Sequence, residues 1–329
     1  MQAMLIRRYG GPEVLERGEL ATPRPQPGQV LVRVFASSVN PIDAALRSGA
    51  LKLFVRLPLP TVLGVDVAGE VAEVGPGVTR FQKGDRVFGF TGVTVGGGYA
   101  EYVAIPESFL ARVPAQLGWA EAGTVPGSGV TAYEAFSRHA PVKPGMRVLI
   151  NGGSGGVGTY AVQVAKALGA HVTATCSTAK VGLLRELGAD SVLDYTQGDP
   201  FAAGADSYDV VLNGVRGTPL GTLRRLLKKG GVLVTVTGMP QDALIAKVRN
   251  LVSAKRTVVF MVQTSGELLA GLAKLIEERK VRPVVERVYT WDELPEAHRR
   301  IESGRVAGKI AVVAPGVPAT ATASGGAGA

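Results

Sequence analysis

Hydrophobic positions along the chain follow two different rhythms. Over residues 1 to about 120 they come in short runs separated by Gly and Pro: AMLIRR, QVLVRVFASSVN, TVLGVDVAGEVAEVG, GDRVFGF and YAEYVAI. In VLVRVFA the side chains alternate as a half-exposed strand requires, and Pro23, Pro25, Pro27 and Gly28 block an earlier start. Short strands at this spacing predict a small barrel. ASSVNPIDAALRSG reads as a turn followed by a short helix, with Pro41 setting the backbone after Asn40.

From about 121 to 263 the rhythm becomes strand, helix, strand. RVLIN, HVTATC, SVLDY, DVVLN, GVLVTVTG and TVVFMV are nearly continuous apolar runs, with helix-competent stretches such as AKVGLLRELGA and LGTLRRLLKKG between them. Such runs belong to a parallel sheet covered on both faces, and six strands make a full Rossmann domain. Beyond it, ELLAGLAKLIEER places Leu268, Leu269, Leu272, Leu275 and Ile276 on one helical face. VRPVVERVYTWDELPEAHRRIESGRVAGKIAVV then returns to strand, helix, strand and is expected to rejoin the first domain. The expected organisation is an α/β protein with a barrel domain over 1–120 and 264–314 and a doubly wound domain over 121–263. The closing PGVPATATASGGAGA (315–329) has nothing to bury and is expected to be flexible.

The first strand of the doubly wound pattern runs straight into NGGSGGVG, and a helical pattern (Val157, Ala161, Val164, Ala165, Leu168) begins at once and stops at Gly169. Gly153, Gly155 and Gly158 satisfy G-x-G-x-x-G. One glycine makes the tight turn, one lets the backbone approach a pyrophosphate, and one lets helix pack on strand. With Gly156 and Val157 between them, they form the candidate cradle, at a helix N-terminus whose free N–H groups suit phosphate. In a chain with 44 glycines the plain alternative is a flexible loop, and the strand–turn–helix context argues against it.

Composition narrows the chemistry. With 329 residues, 46% hydrophobic content and a mean hydropathy of +0.20, the chain can bury a large core. No apolar run approaches the eighteen residues of a membrane span and no signal-like segment opens the chain, so a cytoplasmic protein without membrane contact is expected. The single cysteine, Cys176, excludes an internal disulfide and a four-cysteine zinc lobe, and reads as an inert buried thiol. His139, His171 and His298 lack metal-ligand spacing, so no metal site is expected. The net charge of +9 is spread along the chain. Its densest group, Arg224, Arg225, Lys228 and Lys229, reads as the last helical turn before Gly230–Gly231 rather than as a nucleic-acid patch.

An NAD-specific unit needs an acidic residue at the end of the second strand, yet Gly152 through Arg185 contains none. After HVTATC the chain reads Ser177, Thr178, Ala179, Lys180: hydroxyls and a cation suited to a 2′-phosphate. NADPH is the expected cofactor. The alternative for Lys180 is an exposed lysine in a helix's first turn.

Taken together, NPIDAALRSG, DVAGEVAEVG, GDRVFGF, GVTAYEAF, NGGSGGVGTYAVQVAKALGA, LGADSVLDY and AGKIAVV resemble the zinc-independent quinone oxidoreductase branch of the medium-chain dehydrogenase/reductase superfamily. The resemblance is closest to the chloroplast-envelope quinone oxidoreductase homologue group of enone and alkenal reductases, and it spans residues 1–314. It implies a GroES-like barrel plus a Rossmann domain, hydride transfer from NADPH to a quinone or α,β-unsaturated carbonyl in a cleft between them, and a homodimer paired through the strand resembling Thr257–Val262. Where zinc-dependent relatives carry a cysteine, a histidine and a second cysteine, this chain has Asn40, Val65 and, nearby, Gly127.

Residue by residue, the resemblance implies Asn40 by the nicotinamide and substrate, with Asp43 behind it; Asn40-Pro41 could also be turn chemistry. Thr131 would approach the nicotinamide, or cap a helix. Ser177, Thr178, Lys180 and Tyr195 would hold the 2′-phosphate and adenine, and Asn213, Gly214, Thr237 and Gly238 would stand at strand ends where ligands lie. Phe260, Met261 and Val262 would bond the carboxamide through backbone or be plain core. Lys309 would be a late contact or a surface lysine. No general acid stands out, with Tyr99 and Tyr133 the weak candidates. Two other readings remain open: a carbonyl or alcohol oxidoreductase, and an NADPH-binding protein with a nucleic-acid or structural role.

Overall fold

The computed structural model describes residues 1–93, 95–238 and 240–318, so most of the expected flexible tail lies outside the described residues. Its first part does find something to bury. Val317 packs against the cluster of Ala36, Ala120, Ala311 and Val313. The chain divides into two units.

The first unit is Met1–Gly127, Gln263–Glu277 and the residues from Pro283 onward. Its first eight strands are β1 (Gln2–Ile6), β2 (Glu16–Glu19), β3 (Gln29–Val39), β4 (Thr61–Val62), β5 (Asp66–Val74), β6 (Arg86–Phe90), β7 (Tyr102–Pro106) and β8 (Leu110–Arg112). The polar β2 (ERGE) has no apolar alternation to betray it. It forms because its backbone pairs with β1, Gln2 opposite Glu19. The run TVLGVDVAGEVAEVG breaks into β4 and β5 at Gly64, whose φ of +89° and contact with the Tyr99 ring exclude a side chain.

The second unit, Ser128–Val262 with Glu278–Arg282, holds β9 (Arg147–Asn151), β10 (His171–Cys176), β11 (Ser191–Asp194), β12 (Tyr208–Asn213), β13 (Leu227–Thr235) and β14 (Arg256–Val259). All pair in parallel, in the order β11-β10-β9-β12-β13-β14. That is the doubly wound order with its reversal between β9 and β12, the point at which such sheets hold ligands.

Two expectations shift here. Lys228 and Lys229 lie on β13 rather than on a last helical turn, because the helix ends at Arg225 and buried Leu227 already pairs with Tyr208. A register shift, with Gly230 at φ +83°, absorbs the residues up to Val232. Lys228 then bonds Asp209 at 2.9 Å and Arg224 bonds Ser253 and the Lys255 carbonyl, each at 2.9 Å. β14 also stops at Val259, so Phe260–Val262 lie beyond the strand.

The chain finally returns to the first unit. β16 (Lys309–Val313) runs antiparallel to β3, pairing Ile310 with Val39, and β15 (Val285–Thr290) pairs in parallel with β16. A seven-stranded sheet results, β15-β16-β3-β5-β6-β8 with β7 on β3, beside the three-stranded β2-β1-β4. No described helix is long and apolar enough to cross a membrane.

Candidate active site

In the second unit, β9 ends at Asn151 and Gly152 makes the turn with φ +86°. The pattern G-x-G-x-x-G passes over this residue, although it alone in the cradle needs the left-handed region. A Cβ on Gly158 would strike the Gly152 carbonyl oxygen and lie 2.7 Å from the Gly153 Cα, so this glycine is what lets helix Gly156–Ala167 pack on the turn. A Cβ on Gly155 meets only the Gly152 oxygen at 3.6 Å, leaving an open face at the helix N-terminus.

The ends of four neighbouring strands are cross-linked by polar side chains that the glycine motif does not announce. Thr175 Oγ donates to Asn151 Oδ1 at 2.9 Å, and Asn151 Nδ2 donates to Asn213 Oδ1 at 2.9 Å. Asn213 Nδ2 donates in turn to Thr235 Oγ at 3.2 Å. All four residues are buried. A signal existed, since each apolar run carries a polar residue at or next to its C-terminal end. The Thr175 hydroxyl also accepts from Gly152 N–H at 2.9 Å, tying the row to the glycine turn. Gly214 N–H bonds the Asn151 carbonyl at 3.0 Å, and Thr237 reaches the Val215 carbonyl at 3.4 Å.

Past β10, Ser177 leads into a turn over Thr178–Lys180, with Tyr195 exposed nearby in sequence after β11. The stretch is not free of carboxylates in space: Thr178 donates its hydroxyl proton to Asp194 at 2.6 Å. In this arrangement the Thr178 hydroxyl proton is engaged by a carboxylate, and the Thr196 hydroxyl lies 2.7 Å away. Thr131 is buried inside helix Pro126–Glu134 and is not its cap. Phe260 stacks on His139 with ring centroids 4.2 Å apart, while Met261 is 75% exposed, so neither is plain core.

The first unit contains a buried charged cluster. Asn40 heads helix Pro41–Ser48, and its N–H donates to Asp43 Oδ2 at 2.9 Å. Its Nδ2 is shared among Asp66 Oδ2 (3.0 Å), Asp43 Oδ2 (3.2 Å) and Ser38 Oγ (3.2 Å). The Lys309 ammonium donates to Asn40 Oδ1 and lies 3.6 Å from Asp66 Oδ2. Backbone N–H groups complete the ring: Gly64 to Asp43 at 3.2 Å and Gly127 to Asp66 at 2.6 Å. Lys309 is only 3% exposed, which overturns the surface-lysine alternative.

Burial raises the Asp43 carboxyl to about 7 despite the bonds from Asn40, and lowers the Lys309 ammonium despite Asp66 and Asp43. Both Asn40 amide protons are already committed within the cluster. Lys309, with three N–H groups and two acceptors, keeps donor capacity. Tyr99 is fully buried, donates to the Ser38 carbonyl at 3.2 Å, and burial pushes its hydroxyl well above the usual range.

Among the described residues no three His, Cys, Asp or Glu side chains are placed to hold a metal. In the cluster, the carboxyl oxygens of Asp43 and Asp66 are engaged by the Asn40 amide, backbone N–H groups and the nearby Lys309 ammonium. Beside it, a cavity of about 110 Å³ is lined by Leu46, Leu57, Val62, Val65 and Val93, with Gly64 at its edge.

A doubly wound sheet, a glycine cradle at the end of its first strand and an antiparallel β unit with a buried charged cluster define a nicotinamide-dependent oxidoreductase of the medium-chain dehydrogenase/reductase type. Residues 26–115 match the alcohol dehydrogenase GroES-like domain family, and residues 187–312 the zinc-binding dehydrogenase family. The chloroplast envelope quinone oxidoreductase homolog of Arabidopsis thaliana is 33% identical over 322 residues, covering 95% of this chain and 98% of that one. A 2-methylene-furan-3-one reductase of Solanum lycopersicum is 34% identical over 323 residues, covering 95% and 79%. A mycobacterial protein solved in complex with NADPH superposes with a TM-score of 0.79 at 28% identity, covering 95% and 100%. The chain belongs to the quinone oxidoreductase branch of that superfamily.

Proposed function

We propose that the protein is a zinc-independent, NADPH-dependent reductase that transfers hydride to quinones or α,β-unsaturated carbonyls. The observation that supports this reading is the Lys309–Asn40–Asp66–Asp43 cluster, in which Asn40, the residue matched to a zinc-binding cysteine of zinc-dependent relatives, is held by an ammonium and two carboxyl groups. The bound coenzyme would supply the hydride, and Lys309 would take the polarising role that a metal has elsewhere. The names of the plant relatives, a quinone oxidoreductase and a furanone reductase, support the acceptor class, since a 2-methylene-3-one is an enone.

In this reading the open face at Gly155, with Gly156, Val157 and Gly158 behind it, binds the pyrophosphate, and Gly153 closes the turn. Ser177 and Lys180 hold the 2′-phosphate, Tyr195 flanks the adenine, and Asn213, Gly214, Thr237 and Gly238 border the nicotinamide half. Thr131 and the backbone of Phe260–Val262 orient its ring. Asn40, clamped by Asp43 and Asp66, positions Lys309, whose remaining N–H meets the oxygen on which negative charge develops in an enolate or hydroquinone. The cavity beside Gly64, with Leu46, Leu57, Val62, Val65 and Val93 among its walls, would take part of the acceptor.

A charge-assisted bond from Lys180 is worth about 1.5–3 kcal/mol, or roughly ten- to a hundredfold in affinity. Lys180→Ala is therefore expected to weaken NADPH by that factor and leave NADH nearly untouched. Oxidation of NADPH in the presence of an ortho-quinone or a short enone tests the activity. NADPH binding with no turnover across such a panel would favour a non-catalytic role.

A further inference from the structure

The adenosine end of the coenzyme site contains a carboxylate that arrives from the neighbouring strand. β10 and β11 are parallel, and their ladder pairs Cys176 with Asp194, so Asp194 stands beside the strand end that leads into Ser177–Lys180. The Thr178 hydroxyl lies 2.6 Å from Asp194 Oδ2, and the Thr196 hydroxyl 2.7 Å from Oδ1. Thr196 N–H donates to Oδ1 as well, at 2.9 Å, and the two hydroxyls are 2.7 Å apart.

Each threonine hydroxyl has one proton. The carboxylate and the neighbouring hydroxyl offer acceptors to both at 2.6–2.7 Å, so both protons are engaged within the group rather than offered to a phosphate oxygen. Outward, the pair presents lone pairs, which accept from the free O–H of an unphosphorylated ribose. The bonds from Thr178 and Thr196 hold the Asp194 carboxyl below the usual carboxylate range, so it is ionised at neutral pH. A 2′-phosphate of charge about −1.5 to −2 placed at this strand end is repelled by it while Lys180 attracts it.

We propose that Asp194 is a specificity-determining residue of the coenzyme site: it holds Thr178 and Thr196 as acceptors, tempers the preference for NADPH that Ser177 and Lys180 confer, and admits NADH. The proposal rests on the reading of this strand end as the site of the ribose 2′ substituent. Sequence inspection overlooks Asp194 because it searches the end of the second strand, whereas this carboxylate comes from the end of the third.

Fluorescence titration of the intact chain with NADPH and NADH, at low and high salt, tests it on the wild type, Asp194→Asn and Thr178→Val. Removing one exposed like charge is expected to tighten NADPH about three- to tenfold at low salt and less at high salt. NADH binding is expected to stay within about twofold, as is NADPH binding to Thr178→Val. An Asp194→Asn variant that leaves NADPH unchanged, or alters both coenzymes equally, overturns the proposal. Selective loss of NADPH in Thr178→Val overturns it too, by making Thr178 a phosphate donor. Failure of the underlying site reading shows differently: the wild type binds neither coenzyme, or Lys180→Ala weakens both alike.

Discussion

Lys309 and Asp66 are both buried: the ammonium donates to Asn40 and lies 3.6 Å from Asp66, which also accepts from Ser38 and from the Gly127 N–H. Lys309→Met leaves Asp66 as an uncompensated buried charge and is expected to destabilise the fold by about 3–5 kcal/mol, measurable by urea unfolding. In the same variant kcat/KM for a quinone is expected to fall about a hundredfold or more, because the donor aimed at the developing anion is gone. NADPH affinity, measured separately, is expected to change much less. Asp43 and His298 tie stability to pH in opposite senses. Asp43 titrates at about 7 in the fold and near 3.8 when unfolded, so its contribution is complete below pH 3.8 and is lost as pH rises through 7. His298, buried and held neutral at about 3, contributes fully above 6.5 and loses that contribution as pH falls towards 3. The difference in urea midpoint between pH 5 and pH 7.5 is therefore expected to move towards greater stability at the higher pH in Asp43→Asn. Asn40 and Lys309 were legible as single positions, whereas their contact joins residues 269 apart and the burial that gives it force belongs to the fold.

At the level of elements, the glycine turn was the most readable part of the chain, because strand, turn and helix are contiguous and each declares itself by local composition. Even there the left-handed residue is Gly152, one place before the first glycine of the pattern. Gly158→Ala is expected to cost about 1–3 kcal/mol by forcing a methyl group against the Gly152 carbonyl and Gly153, and to weaken both coenzymes together. Melting temperature and NADPH titration measure the two effects. The interruptions were less readable. β14 ends three residues early, and β13 starts within the basic run, because pairing with a neighbour overrides what a strand's own residues indicate. Lateral neighbours explain the overlooked carboxylate as well: the register of β10 against β11 appears nowhere in the linear order of residues.

For the molecule as a whole, β14 is the outer strand of the parallel sheet, and helix Pro240–Val252 exposes Leu244, Ile245, Val248 and Leu251 in the same unit. Asn250 caps the middle of that edge, bonding the Thr257 N–H and carbonyl at 2.8 Å each, and the apolar helix surface supports the proposal that a second copy of this chain packs there. Sedimentation is expected to give about twice the 34.1 kDa of one chain, and Leu251→Lys with Val248→Lys to shift it towards the single-chain value. The division into an antiparallel unit and a doubly wound unit followed from the two rhythms of hydrophobic positions. The destination of residue Lys309 did not, since nothing in GKIAVV says which strand it will lie against.

That destination makes the cluster depend on a pairing between strands remote from each other in sequence. β16 is the last strand among the described residues, yet it completes a sheet whose centre, β3, lies far earlier in the sequence. The pairing brings Lys309 to Asn40 Oδ1 and to within 3.6 Å of Asp66 Oδ2, so the ammonium reaches the cluster only through that strand. A substitution that loosens β16 from β3 would therefore disturb the cluster without touching any of its side chains.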